Sequence, residues 1–135
     1  MGYSIIDIEG IWPTYTKKLK AIGVNNTDQL LQRGSSPKGR KELAAQSGLD
    51  DGKILKWCNM ADLMRIKGVA EEYSELLEAA GVDTVKELRN RNAANLAKAM
   101  KEANAKKKLV RLVPGEKSVT KWVAQAKKLP PTMTY

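Results

Sequence analysis

Ile8-Glu9-Gly10-Ile11-Trp12-Pro13-Thr14-Tyr15-Thr16-Lys17-Lys18-Leu19 returns further along the chain as Ile66-Lys67-Gly68-Val69-Ala70-Glu71-Glu72-Tyr73-Ser74-Glu75-Leu76-Leu77. The register runs on without a gap, pairing Ala21 with Ala79, Gly23 with Gly81, Val24 with Val82 and Leu30 with Leu88. An internal repeat constrains architecture before any other feature does. In each copy a Gly-hydrophobic turn opens an amphipathic helix, and Ala-X-Gly-Val closes it. The expectation is two similar halves, about 1–64 and 65–135, packed about a pseudo-twofold as one compact domain spanning 1–135.

Working outward, every remaining segment reads as helix. Pro13 suits a first helical turn, where its missing N–H removes no bond. Gly23 ends that helix, and Asn26 or Thr27 caps the next, which stops at Gly34. Pro37 starts a helix ending at Ser47-Gly48. Asp50 or Asp51 caps one through Met64, whose apolar positions Ile54, Trp57, Cys58, Ala61 and Met64 recur at three- and four-residue spacing. In the second half the helices run from about Ala70 to Ala80, from a Thr84-x-x-Glu87 capping box, from about Ala93 to Lys107, and from about Lys117 to Leu129, where Pro130-Pro131 stops the chain. A short lead-in covers 3–8, making nine segments. Lys56-Trp57 and Lys121-Trp122 are repeat partners, but their spacing requires extra residues in the second half. No strand pattern of useful length occurs, so the fold class is all-α.

Composition agrees. The 135 residues are 42% hydrophobic with no Phe, so the core is Leu, Ile, Val, Ala and Met with a few Trp and Tyr. No apolar run reaches the length of a membrane span. Residues 1–4 lack the basic and apolar regions of a secretory leader, and the single Cys58 forms no internal disulfide, so a reducing cytoplasm is expected. The net charge is +9 and uneven. Residues 1–49 hold seven basic and four acidic side chains, 50–100 eight and nine, and 101–135 nine and two. Basic proteins bind polyanions through counterion release.

The matched residues resemble a bacterial family of tandem helix-hairpin-helix domains of unassigned function. The likeness covers nearly the whole chain. It includes Lys38-Gly39-Arg40-Lys41-Glu42-Leu43-Ala44, Ile54-Leu55-Lys56-Trp57, Arg65-Ile66-Lys67-Gly68-Val69, the run from Leu77 to Leu88, Lys107-Lys108-Leu109-Val110-Arg111 and Leu129-Pro130-Pro131. The resemblance implies a fold whose relatives in ligases, polymerases and repair proteins hold DNA backbone without reading sequence, by analogy of fold alone. The family pattern has Gly at the positions of Trp12 and Ala70. In a DNA-gripping hairpin, backbone N–H groups at the helix start point at a phosphate, and Gly lets it approach. An indole at residue 12 obstructs that approach. The first hairpin helix carries Lys17, Lys18 and Lys20, whereas the second carries Glu71, Glu72, Glu75 and Glu78, which repel DNA.

Trp12 is therefore the most informative residue. It reads as an exposed anchor for a protein partner, with Ile11, Pro13, Thr14 and Thr16 as neighbours; a core Trp beneath the turn is the competing reading. Tryptophan is enriched at interface hot spots. Tyr15 and Tyr73 read as half-buried scaffold, and Trp57 and Trp122 as core. The alternative function is sequence-nonspecific DNA binding through Lys17, Lys18, Lys20, Lys106, Lys107, Lys108 and Arg111, although a solvated helix end accounts equally for the last four. The chain has no histidine, so Cys58 has no Cys–His partner and zinc is not expected. Asp50 and Asp51 read as caps rather than metal ligands. Without a phosphate loop, dinucleotide fingerprint or nucleophile motif, no catalytic residue, metal or cofactor is expected. The alanine-rich stretch from Asn92 to Ala105, together with Trp12, also fits a hairpin scaffold engineered to accept a partner.

Overall fold

Gly10 and Gly68 take φ of +92° and +96°, and Gly23 and Gly81 take +86° and +94°. These backbone conformations are open to glycine and strained for other residues. They frame the same local structure twice. Ile11 N–H donates to Ile8 O and Val69 N–H to Ile66 O, both at 3.1 Å, closing the turn before each helix. Val24 N–H donates to Leu19 O at 2.9 Å and Val82 N–H to Leu77 O at 2.8 Å, closing each helix end.

The computed structural model describes residues 3–8, 10–69 and 71–135, the side chain of Glu71 excepted. Among the described residues the chain is all-helical. A 3-10 turn at Ile5–Asp7 precedes α1 (Pro13–Ala21), α2 (Thr27–Gly34), α3 (Pro37–Ser47), α4 (Asp51–Leu63), α5 (Glu71–Ala79), α6 (Val85–Leu88), α7 (Ala93–Lys107) and α8 (Glu116–Lys128). The caps are chemical. Asn26, Ser36, Thr84 and Asn92 each accept an N–H from the third residue onward, satisfying donors that a helix start leaves bare.

The chain divides into two compact units. The first holds the residues up to Asp62 together with Thr132–Tyr135, and the second holds Leu63–Pro131. In the first unit the lead-in is tied to the start of α2: Thr27 N–H donates to Tyr3 O at 2.8 Å, and Tyr3 N–H donates to Thr27 Oγ1 at 2.9 Å. Ile5, Ile8, Leu19, Val24, Leu30, Leu43, Ile54 and Met60 are fully buried. The last residues are held by Arg40, which is buried. Its guanidinium donates to Gly34 O at 2.9 Å and to Thr134 O at 2.8 Å, and it lies 5.4 Å from the Tyr135 ring centre. Thr134 N–H donates to Ser35 O at 2.7 Å.

The core of the second unit gathers Leu76, Leu77, Val82, Val85, Leu88, Leu96, Met100, Val119, Trp122, Val123 and Ala126. Here α7 packs on α8 and α5, and α6 packs on α8. Ala93, Ala97 and Ala103 lie half-buried against this core, so part of the alanine content serves close helix packing. The extra residues of this half lie in α7 (15 residues, against 11 for α3) and in the connection 108–115, where the first unit has only 48–50. Lys108 begins that connection at φ +51°, a left-handed residue that is not glycine. Asn104 pins the connection: its amide donates to Val110 O at 3.0 Å and its carbonyl accepts from Val110 N–H at 2.9 Å.

Candidate functional site

The turn at Gly10 delivers Ile11 inward and Trp12 outward. Ile11 is 3% exposed and Trp12 65%. Trp12 caps α1 in an extended conformation with no side-chain hydrogen bond, and Pro13 begins the helix. The indole does not project freely. It stacks on Tyr15 with ring centres 6.0 Å apart and planes 16° from parallel. Tyr15 in turn leans on Trp57 at 5.3 Å. Trp57 is 2% exposed and lies beneath Gly10, where an added Cβ would meet its Nε1 at 3.7 Å. Lys53 completes the group. Its Nζ lies 5.2 Å from the Tyr15 ring centre and donates to the Tyr15 hydroxyl at 3.3 Å. Asp50 caps the start of α4 by accepting the backbone N–H of Lys53 at 3.2 Å. The result is an aromatic ledge with a buried foot and an exposed lip, flanked by a cation.

The second unit builds the same foot. Tyr73 leans on Trp122 at 5.5 Å, and an added Cβ on Gly68 would meet Trp122 Nε1 at 3.1 Å. The lip differs. Ala70, the repeat counterpart of Trp12, lies outside the described residues. The Tyr73 hydroxyl donates to Leu112 O at 3.1 Å, so residues of the 108–115 connection take the place that Lys53 holds in the first unit.

The expected docking set is only partly at the surface. Trp12, Pro13 and Thr14 are exposed. Ile11 and Thr16 are not, and both are removed from that set. Ile11 is turned into the core by the closing bond of the turn, and Thr16, 7% exposed, falls on the inner face of α1 with Leu19. Thr16 Oγ1 has no hydrogen-bond partner among the described residues. The cations all reach solvent, but they fall in two units: Lys17, Lys18 and Lys20 in the first, and Lys106, Lys107, Lys108 and Arg111 in the second. α1 has no acidic residue in its first turn.

Cys58 is buried, and its Sγ lies 3.9 Å from Leu30 O. Burial pushes the thiol up to about 12, a rise that the Arg40 guanidinium only partly offsets. A thiol so poor in thiolate is a packing group rather than a nucleophile. Asp50 caps α4, as expected. Among the described residues no cluster of three His, Cys, Asp or Glu side chains could hold a metal, and no helix is long and apolar enough to cross a membrane.

Residues 9–129 match the model of the family described as a domain of unknown function, DUF4332, and the chain belongs to that family. No curated protein and no solved structure matches it.

The sequence singled out Trp12, which is exposed as expected, but gave no sign of Lys53 or of the stacking of Trp12 on Tyr15. The repetition of Tyr15 and Trp57 as Tyr73 and Trp122 signalled the shared aromatic foot, but nothing repeated pointed to Lys53 or to the Trp12 stack.

Proposed function

We propose that the chain is a non-catalytic binding module of two helix-hairpin-helix units, and that it takes a protein partner on the ledge led by Trp12, Pro13 and Thr14. One observation carries this reading: an indole 65% exposed yet already stacked on a supported tyrosine. Ordering a large side chain on binding opposes association, at about 0.5–1.5 kcal/mol per rotamer-rich side chain. Stacking supplies much of that order in advance. Burying an aromatic then contributes both area and shape. The same indole stands where a phosphate would approach the start of α1, which argues against a duplex grip at this turn. The test is Trp12→Gly, which restores the glycine of the family pattern. The variant should keep the wild-type circular dichroism spectrum and lose a partner that the wild-type chain retains in cross-linking and affinity capture. Retention of that partner by both forms defeats the reading.

A second reading, DNA binding through Lys17, Lys18, Lys20, Lys106, Lys107, Lys108 and Arg111, draws on the exposure of all these side chains. It predicts weak, sequence-blind binding that falls steeply with salt. Fluorescence anisotropy with a labelled duplex at two salt concentrations checks it, and flat anisotropy at low salt excludes it.

A further inference from the structure

We propose that the first unit carries a peptide-recognition seat, filled within the chain by its own Thr132–Tyr135 and filled between chains by the same segment of a second copy. The proposal does not depend on the Trp12 ledge. It starts from how the segment is held. α8 stops short of Leu129, and Pro130-Pro131 lead into residues without helix. Three parts of the first unit receive them. Ser35 O, just after α2, accepts the Thr134 N–H at 2.7 Å and its hydroxyl at 3.2 Å. Arg40, in α3, donates to Thr134 O at 2.8 Å and stands 5.4 Å from the Tyr135 ring centre. Asn59, in α4, accepts the Tyr135 hydroxyl at 2.7 Å. Met133 is 6% exposed, while Thr134 and Tyr135 reach solvent. Bonds to both main-chain groups of one residue attract any sequence, and the side chains on either side select which sequence fits. The ligand class is therefore a short segment with an unbranched apolar side chain, any residue, then tyrosine.

Arg40 makes exchange the way in. Its guanidinium is buried. With the segment gone it keeps Gly34 O but loses Thr134 O and the Tyr135 ring. A buried charge short of partners is unfavourable. The segment is therefore replaced rather than simply released. A replacement has to bring the same carbonyl, N–H, apolar side chain and ring, and the same segment of a second copy brings all four. Two copies that trade segments remake each of these contacts between chains. The trade is reciprocal, so the pair closes as a twofold dimer. The chain's own segment competes at an effective concentration on the order of 1 mM, as short tethers do, so exchange belongs to high protein concentration.

A fluorescein-labelled peptide of residues 129–135 stands in for the second copy's segment. The acceptor is the full chain carrying Met133→Lys, which puts a charge on the buried side chain and frees the seat. Fluorescence anisotropy should show saturable binding to this variant. Binding to the wild-type chain should be at least about tenfold weaker, because its own segment competes. The same peptide with Met133→Lys should not bind. Tyr135→Ala, an exposed and milder change, should give intermediate affinity and serves as acceptor if Met133→Lys fails to fold, which circular dichroism checks. Light scattering at about 1 mM should show a dimer fraction for the wild-type chain that Met133→Lys lacks. A folded variant that ignores the peptide, or binds it no better than the wild type does, overturns the seat. A wild-type chain as monomeric as Met133→Lys at that concentration overturns exchange between copies.

Discussion

The two Gly-led turns share a foot and differ in what stands on it. In both, a glycine at positive φ sits above an indole N–H, and a tyrosine leans on that indole. In the first turn the tyrosine supports an exposed tryptophan and receives a lysine. In the second it donates to a backbone carbonyl of an added connection. The shared parts are those that hold the fold, and the unshared parts are those that meet solvent. A repeat of this kind separates the supporting parts from the solvent-facing parts without any comparison to other chains.

The largest test of that separation is removal of the feet. Trp57→Ala and Trp122→Ala should each lower stability by about 3–5 kcal/mol in chemical unfolding, the range for deleting a buried aromatic. If either change is nearly neutral, that indole is not a foot. Next come the glycines. Gly68→Ala should destabilise more than Gly10→Ala, because its Cβ would stand 3.1 Å from an indole nitrogen rather than 3.7 Å. Left-handed backbone alone costs about 1–2 kcal/mol for residues with a Cβ, so thermal melts of the pair should rank them, and equal losses would show that the backbone term dominates.

A subtler contrast lies one turn into each helix. Thr16 Oγ1 is buried without a partner among the described residues, whereas Ser74, fully buried at the matching position, does interact with a neighbour. Thr16→Val should therefore raise stability by about 1 kcal/mol and Ser74→Ala lower it by a similar amount. Denaturant midpoints of both variants check the opposite signs. The smallest effect belongs to the lip. Trp12→Gly should shift stability by no more than about 0.5 kcal/mol, as exposed substitutions do; a much larger loss in the same assay would make Trp12 a structural residue.

Much of this was legible in the residues themselves. Helix starts followed side-chain chemistry: Pro13, Pro37 and Ala93 each read as the beginning of a helix, and the start of α4 was narrowed to a cap at Asp50 or Asp51, of which Asp50 accepts the capping N–H. The inward face of α4 followed from three- and four-residue spacing. The docking set was harder. Residues adjacent to Trp12 in sequence are not all its neighbours on the surface, because helix phase sends Thr16 inward and the turn sends Ile11 inward. Proximity along a chain does not mean proximity on a surface. Lys53 was invisible for the converse reason: it joins the ledge from a different helix, α4. The return of Thr132–Tyr135 to the first unit had no signal either, because it depends on Arg40, a residue whose burial runs against its type.

That return has a mechanical meaning. Between Asp62 and Thr132 the chain leaves the first unit, builds the second and comes back. A pull applied at Tyr3 and Tyr135 therefore loads the first unit directly. Tension reaches the second only after the terminal segment clasped by Arg40 has torn loose, so in an optical trap the first rip should come from the unit that bears the indole.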